Sequence, residues 1–123
     1  MRIVFLCIIL CLGALTSCSK YSRSDLIGHW TAVSVLQDKQ PLKVNPSEIT
    51  LAFTKDGTYY FTSTLDYQEA GVFDLKGEQL WTTDTIQQPP KSKTVLIEKL
   101  SSDSLHIKMR NQEDWMFLTM VKK

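Results

Sequence analysis

Along most of this chain apolar and polar positions alternate one for one, the period of strands with one buried face. Ile49, Leu51 and Phe53 alternate with Thr50, Ala52 and Thr54, and Leu105, Ile107 and Met109 alternate with His106, Lys108 and Arg110. A strand is predicted from about His29 to Gln37, ended by Asp38-Lys39-Gln40-Pro41, with a loop running on through Asn45-Pro46. Others follow near Thr58–Thr64, Gln68–Leu75, Glu78–Thr83, Thr94–Leu100, Leu105–Arg110 and Trp115–Val121. Ser24-Asp25-Leu26-Ile27 can form one helical turn, with Ser24 or Asp25 as N-cap, and Gly28 breaks it. Asp84 to Lys93, with Pro89-Pro90, reads as the longest irregular stretch late in the chain.

About eight short strands at roughly 8–12-residue spacing, with no long helical period, argue an all-β sandwich or barrel. Connections this short favour pairing between sequence neighbours, an up-and-down antiparallel meander. A meander leaves two edges exposed, and closing it into a barrel removes them. Eight strands enclose a space that side chains can fill or one small ligand can occupy. Asp56-Gly57 marks one hairpin. A two-residue loop there sets Phe53 opposite Tyr60. A three-residue loop, Lys55-Asp56-Gly57 with Gly57 left-handed, sets Phe53 opposite Tyr59, Leu51 opposite Phe61 and Ile49 opposite Ser63. The second register collects the apolar residues on one face, and a one-residue slip would turn every side chain over, so it is the one expected.

The first residues follow another logic. Met1-Arg2 is a short basic start and Ile3 through Leu12 is almost wholly apolar. That run is shorter than the ~20 apolar residues a membrane span needs, but it suits a signal-peptide core. Leu15-Thr16-Ser17-Cys18 follows it and resembles the lipobox of bacterial lipoproteins. The resemblance implies that 1–17 is a removed signal peptide, that Cys18 is the lipidated N-terminus, and that 18–23 is a polar tether ahead of one domain, 24–123. Of three cysteines, Cys7 and Cys11 fall in the removed segment. The mature chain then holds one Cys and no disulfide framework, and acylation (palmitate-type chains) accounts for the odd one. Cleavage leaves 106 of 123 residues, enough for one small domain.

Cleavage removes one charge, Arg2, so the mature chain balances 13 basic against 13 acidic side chains. No basic run with interleaved aromatics is present, which argues against nucleic acid as a partner. The tether Ser19-Lys20-Tyr21-Ser22-Arg23 lacks an acidic patch. In lipoproteins of Bacteroidetes type such a patch is associated with surface export, so the periplasmic face of the outer membrane is the expected site.

Gly28-His29-Trp30 is a Gly-x-Trp at the start of the first strand, just after the possible helical turn. Its placement resembles that of the lipocalin superfamily. The stretch from Leu26 to Val121 more closely resembles the small lipocalin-like domains of Bacteroidetes lipoproteins. Leu26-Ile27-Gly28-His29-Trp30, Phe53-Thr54-Lys55-Asp56-Gly57-Thr58-Tyr59, Gly71-Val72-Phe73 and Leu100 through Leu105 carry the resemblance. It implies an eight-stranded calyx with Trp30 packed across its closed end, and Gly28 and Trp30 as structural signature. The chain is much shorter than a full lipocalin and lacks the C-terminal helix. Leu65-Asp66-Tyr67 is similar to an Asp-Tyr element of that superfamily but falls too early to be it.

Candidate chemistry is sparse. His29 and His106 are far apart, with no Cys or spaced carboxylate beside them, so no metal site is expected. Hydroxyls occur in no nucleophile motif and there is no glycine-rich phosphate loop. The chain is therefore read as a binding protein without cofactor, not an enzyme. Trp30, Phe53, Tyr59, Phe61 and Phe73 are expected in the core. Trp81 and Trp115 could each be an exposed partner anchor or pack under a loop. Alternation of turns places Lys55–Gly57, Lys76-Gly77 and Ser101–Asp103 at the closed end. Asp38–Ser47, the turn around Asp66, Pro89-Pro90 and Asn111–Asp114 fall at the mouth. Leu36, Ile49, Phe61, Met109 and Trp115 near that rim are the candidate ligand contacts. Two functions follow: a lipid-anchored monomer that holds a small apolar molecule in its barrel, or an envelope module with a filled barrel that grips another protein.

Overall fold

The computed structural model describes residues 20–111 and 113–123. Residues 1–17, expected to be a signal peptide, and Cys18, the expected lipidation site, lie outside the described residues. The chain is all-β and antiparallel. A single helical turn, α1 (Arg23–Leu26), precedes β1 (Gly28–Gln37) and a two-residue β2 (Gln40–Pro41). Then come β3 (Thr50–Phe53), β4 (Thr58–Thr62), β5 (Gln68–Lys76), β6 (Gln79–Asp84), β7 (Lys91–Leu100), β8 (Ser104–Asn111) and β9 (Asp114–Lys122). Each strand from β3 on pairs with its sequence neighbour, β3 pairs with β1, and β9 pairs back onto β1. Eight strands thus close into a barrel, and β2 is a flap on the far end of β1.

The β3–β4 hairpin has Phe53 opposite Tyr59 and Leu51 opposite Phe61, the register expected from the three-residue loop. Gly57 takes φ +91° there, a left-handed conformation open to glycine without a Cβ penalty. Two connections differ from expectation. Asp38 and Lys39 both take positive φ and form a tight turn, so Gln37 pairs with Gln40. No glycine advertises that turn. β7 begins at Lys91, three residues earlier than the apolar pattern suggests, because Lys91-Ser92-Lys93 pairs with Asp84, Thr83 and Thr82 despite its polarity.

Two register shifts bend the wall. One lies between Ala32 and Ser34 in the β1–β9 ladder, the other between Ile97 and Lys99 in β7–β8. An extra residue in one strand sharpens the local bend and twist, and it reverses the inward–outward phase beyond it. Trp30 and Ala32 face inward before the β1 shift; Val35 faces inward after it.

The core is densest at the end where α1 lies. Leu26, Trp30, Ile97, Leu105 and Met120 are almost fully buried. Trp30 Nε1 donates to the Leu26 carbonyl at 2.9 Å, tying the helical turn under β1. Lys122 Nζ sits 4.9 Å from the Trp30 ring centre and donates to the Asp25 carbonyl. Phe53 and Phe73 meet edge to face at 4.8 Å. Arg23 covers Phe73 from outside at 4.5 Å.

Candidate functional site: the barrel interior

At the other end the barrel is not filled. A cavity of about 260 Å³ opens between the strands. Leu51, Leu80, Val95, Ile107, Leu118 and Met120 form its floor and lower walls, all on the inward face of β3 and β6 to β9. Phe61 and Met109 line it higher up, and Ser63 belongs to the turn that follows β4. That turn contains Leu65 and Asp66, both with left-handed φ, and leaves Leu65 97% exposed. The connection from Asp84 to Lys91 stands close by, where Gln87 and Lys91 share a recess with Tyr67.

One wall is polar. Glu69 is 3% exposed and accepts three hydrogen bonds: from Tyr59 Oη at 3.0 Å, from Tyr67 Oη at 2.8 Å and from Lys93 Nζ at 2.6 Å. The residues arrive there by strand phase. Glu69 is in step with Phe73 on β5, Thr82 and Asp84 with Leu80 on β6, and Lys93 with Val95 on β7. Lys93 also lies 5.6 Å from the Phe61 ring centre, and Tyr67 meets Phe61 edge-on at 6.2 Å. Burial pushes the Glu69 carboxyl up, but the bonds from Lys93, Tyr67 and Tyr59 outweigh it and hold the group below the usual carboxylate range. The same contacts act oppositely on the phenols. Tyr67 is pushed up to about 12 by its bond to the Glu69 carboxylate, then by burial. Tyr59 is raised further, by burial first and then by the charge of Glu69.

These shifts predict an alkaline limit. A phenol whose folded pKa lies above its unfolded value of about 10 adds stability that is fully present below pH 10 and is lost as pH rises through the folded value. In an ultraviolet titration of the folded protein, Tyr59 and Tyr67 should stay protonated at pH 11, and Glu69→Gln should let Tyr67 ionise earlier. Ionisation of all four tyrosines by pH 11 in a protein that is still folded would contradict the arrangement.

Of the five residues that sequence reasoning put at the rim, Phe61 and Met109 line the cavity. Ile49 is buried in phase with Leu51 but lies outside the lining. Leu36 and Trp115 do not face the interior. Leu36 pairs with Phe117, while inward Val35 pairs with inward Leu118. Plain alternation from Trp30 would turn Leu36 inward; the β1 register shift turns it out. Trp115 shares the outer phase of Phe117, with Lys108 Nζ 4.5 Å and the Arg110 guanidinium 5.0 Å from its ring. Trp81 is 42% exposed on the outer wall, 5.5 Å from Lys76 Nζ. Hydrophobicity does not signal the polar wall of Glu69, Thr82, Asp84 and Lys93, although Glu69 and Asp84 keep step with their apolar neighbours.

No family model and no curated protein matches this chain. A solved structure does: a lipocalin-like protein from Bacteroides uniformis superposes with a TM-score of 0.61. The match covers 80% of this chain and 99% of that one, at 17% sequence identity. The fold is lipocalin-like. The closed meander, the helical turn before β1 and the one-ended cup are the parts of a lipocalin-like barrel. At this identity the likeness concerns backbone architecture, and the polar wall is described from this chain alone.

Proposed function

We propose that this lipocalin-like chain is a lipid-anchored protein of the bacterial cell envelope that holds one small, largely apolar molecule in its barrel. The observation that carries the reading is the 260 Å³ cavity with an apolar floor and a few convergent polar groups. Ligand sites combine those two features, and a barrel of eight strands is wide enough for one small ligand. The cavity also counts against the alternative of a filled barrel that acts only through its outer surface. Tyr59, Tyr67, Glu69 and Lys93 are bound to one another, an arrangement suited to positioning a ligand rather than to catalysis. The expected partners are a membrane, reached through the lipid, and the ligand. Nucleic acid is not among them, and the protein works as a monomer.

The Leu15–Cys18 stretch supports the anchor, and Lys20 supports its orientation. Lys20 Nζ lies 3.4 Å from Glu78 in the β5–β6 turn, at the closed end of the barrel. Two residues span no more than about 7 Å. A lipid on Cys18 therefore keeps the closed end toward the membrane and the mouth away from it, on the side of the aqueous compartment. The outer membrane with the barrel on its periplasmic face fits this reading.

The test uses 1-octanol as an uncharged apolar probe. Its addition should shift the amide NMR signals of Phe61, Val95 and Met109 and leave those of Trp81 and Trp115 in place. Val95→Phe, which fills the floor, should abolish the shifts without unfolding the chain. Absence of shifts in the wild type, or shifts confined to the outer wall, would overturn the reading. Cys18→Ala tests the anchor separately: it should release the domain from membranes, and a variant still membrane-bound at mature size would refute lipidation there.

A further inference from the structure

The polar wall specifies the head of the ligand, an inference that rests on the barrel being a binding site. Two shielded side-chain atoms on the inward face of β6 are short of partners among the described residues: Asp84 Oδ2, which makes no hydrogen bond, and Thr82 Oγ1, which has only a long contact with Tyr59 Oη. Thr82 is 6% exposed and lines the main cavity. Asp84 is 3% exposed and lines a side recess of about 80 Å³, which shares Tyr67, Glu69 and Lys93 with the cavity. Asp84 Oδ1 is engaged, accepting from the Ile86 amide at 3.0 Å; Oδ2 is not. Buried polar atoms are nearly always paired, and an orphan calls for an explanation.

Asp84 Oδ2 needs a donor, and the Thr82 hydroxyl can accept from the same group. A carboxylate oxygen only accepts, and a hydroxyl both accepts and donates. Glu69 has capacity of the same kind. Its Oε2 already takes Tyr67 and Lys93, while Oε1 takes Tyr59 alone. Lys93 Nζ is held 2.6 Å from Glu69, where its charge is matched, so a carboxylate head would enter beside two buried carboxylates, Glu69 and Asp84. The buried charged groups of the wall are both acceptors.

We propose that the barrel takes a small amphipathic molecule whose apolar body lies on the Leu80–Val95–Met120 floor and whose head donates hydrogen bonds, a hydroxyl or an ammonium, to Thr82, Asp84 and Glu69. Carboxylate-headed molecules are discriminated against. The cavity volume equals roughly nine liquid waters at about 30 Å³ each, which suits a body of short-chain or single-ring size and leaves a long acyl chain outside. Anchoring the head also explains why β6 carries Thr82 and Asp84 at inward positions where Val or Leu would satisfy the barrel.

The experiment compares three probes with one tail, 1-octanol, octylamine and octanoate, by isothermal titration at neutral pH. The alcohol and the ammonium should bind, and octanoate should bind about tenfold more weakly or worse. Thr82→Val should weaken 1-octanol and Asp84→Asn should weaken octylamine, each by about tenfold. Thr82→Val should not melt below wild type, because it removes a buried hydroxyl short of partners; Asp84→Asn keeps an oxygen for the Ile86 amide and removes the buried charge, so it should stay folded. That combination, lost affinity with undiminished stability, is not what a structural role would give. Octanoate binding as well as the alcohol, or variants that lose no affinity, would overturn the head-group assignment and leave the barrel reading standing. Failure of all three probes to bind would overturn both. If either variant misfolds, the order of the three heads in the wild type decides.

Discussion

Replacing Trp30 by Ala should lower the unfolding free energy by about 3–5 kcal/mol, the range for truncating a buried Trp. Trp30 is 1% exposed and lies in the first strand, where β1 meets β3 on one side and β9 on the other. Its loss opens a void at the junction that closes the barrel. The change also removes the donor to the buried Leu26 carbonyl and the ring beneath Lys122. For a domain with a stability of about 5–15 kcal/mol, that is a large share. Urea unfolding followed by far-ultraviolet circular dichroism reads it directly. A midpoint within experimental error of wild type would mean that Trp30 does not hold the closed end.

Gly71→Ala is the second large effect, and its sign is the informative part. At an unstrained position, Gly→Ala stabilises by about 0.4–1 kcal/mol by restricting the unfolded chain. Gly71 sits on β5 opposite Tyr59 on β4 and Asp84 on β6. A Cβ built there would lie 1.8 Å from the Thr83 carbonyl oxygen and 3.0 Å from the Thr85 nitrogen. Both are backbone atoms, and Thr85 N is already bonded to the Ala70 carbonyl. The β5–β6 ladder must part to admit the methyl, so overpacking should cost at least about 3 kcal/mol, the upper end of its usual range. The polar wall straddles the same ladder, so 1-octanol binding should fall with stability. A Gly71→Ala protein as stable as wild type would show that the two strands are not held this close.

Most of the fold is legible in the sequence because strict alternation survives in the strands that bury one face. Leu105-His106-Ile107-Lys108-Met109 reads as β8 without help, and the three-residue β3–β4 loop follows from which register gathers the apolar residues. The misses share a cause: they are places where the apolar pattern stops reporting direction. A register shift at Val33 reverses the phase of β1, so counting forward from Trp30 puts Leu36 on the wrong side. Lys91-Ser92-Lys93 extends β7 toward the mouth with polar residues, which resemble loop sequence although they pair throughout with β6. Asp38-Lys39 turns tightly without glycine, the usual signal.

The candidate site was the least legible part for a related reason. Only its apolar half, Phe61 and Met109, announces itself by hydrophobicity. Glu69, Thr82, Asp84 and Lys93 are polar residues at inward positions, where a pattern reader assigns them to turns or to the solvent face. Their phase relative to Phe73, Leu80 and Val95 was the available signal. A polar residue in step with buried apolar ones is either a defect in a core or part of a site, and a cavity beside it distinguishes the two.

Whether the barrel carries a small molecule is read by native mass spectrometry of the protein purified in mild detergent from its own host. The expected result is a population heavier than the protein's own denatured mass by one compound of roughly ten non-hydrogen atoms, released on denaturation and missing from Val95→Phe prepared in parallel. A wild-type protein whose native and denatured masses agree, or an adduct that Val95→Phe retains in full, would contradict a ligand held in the barrel.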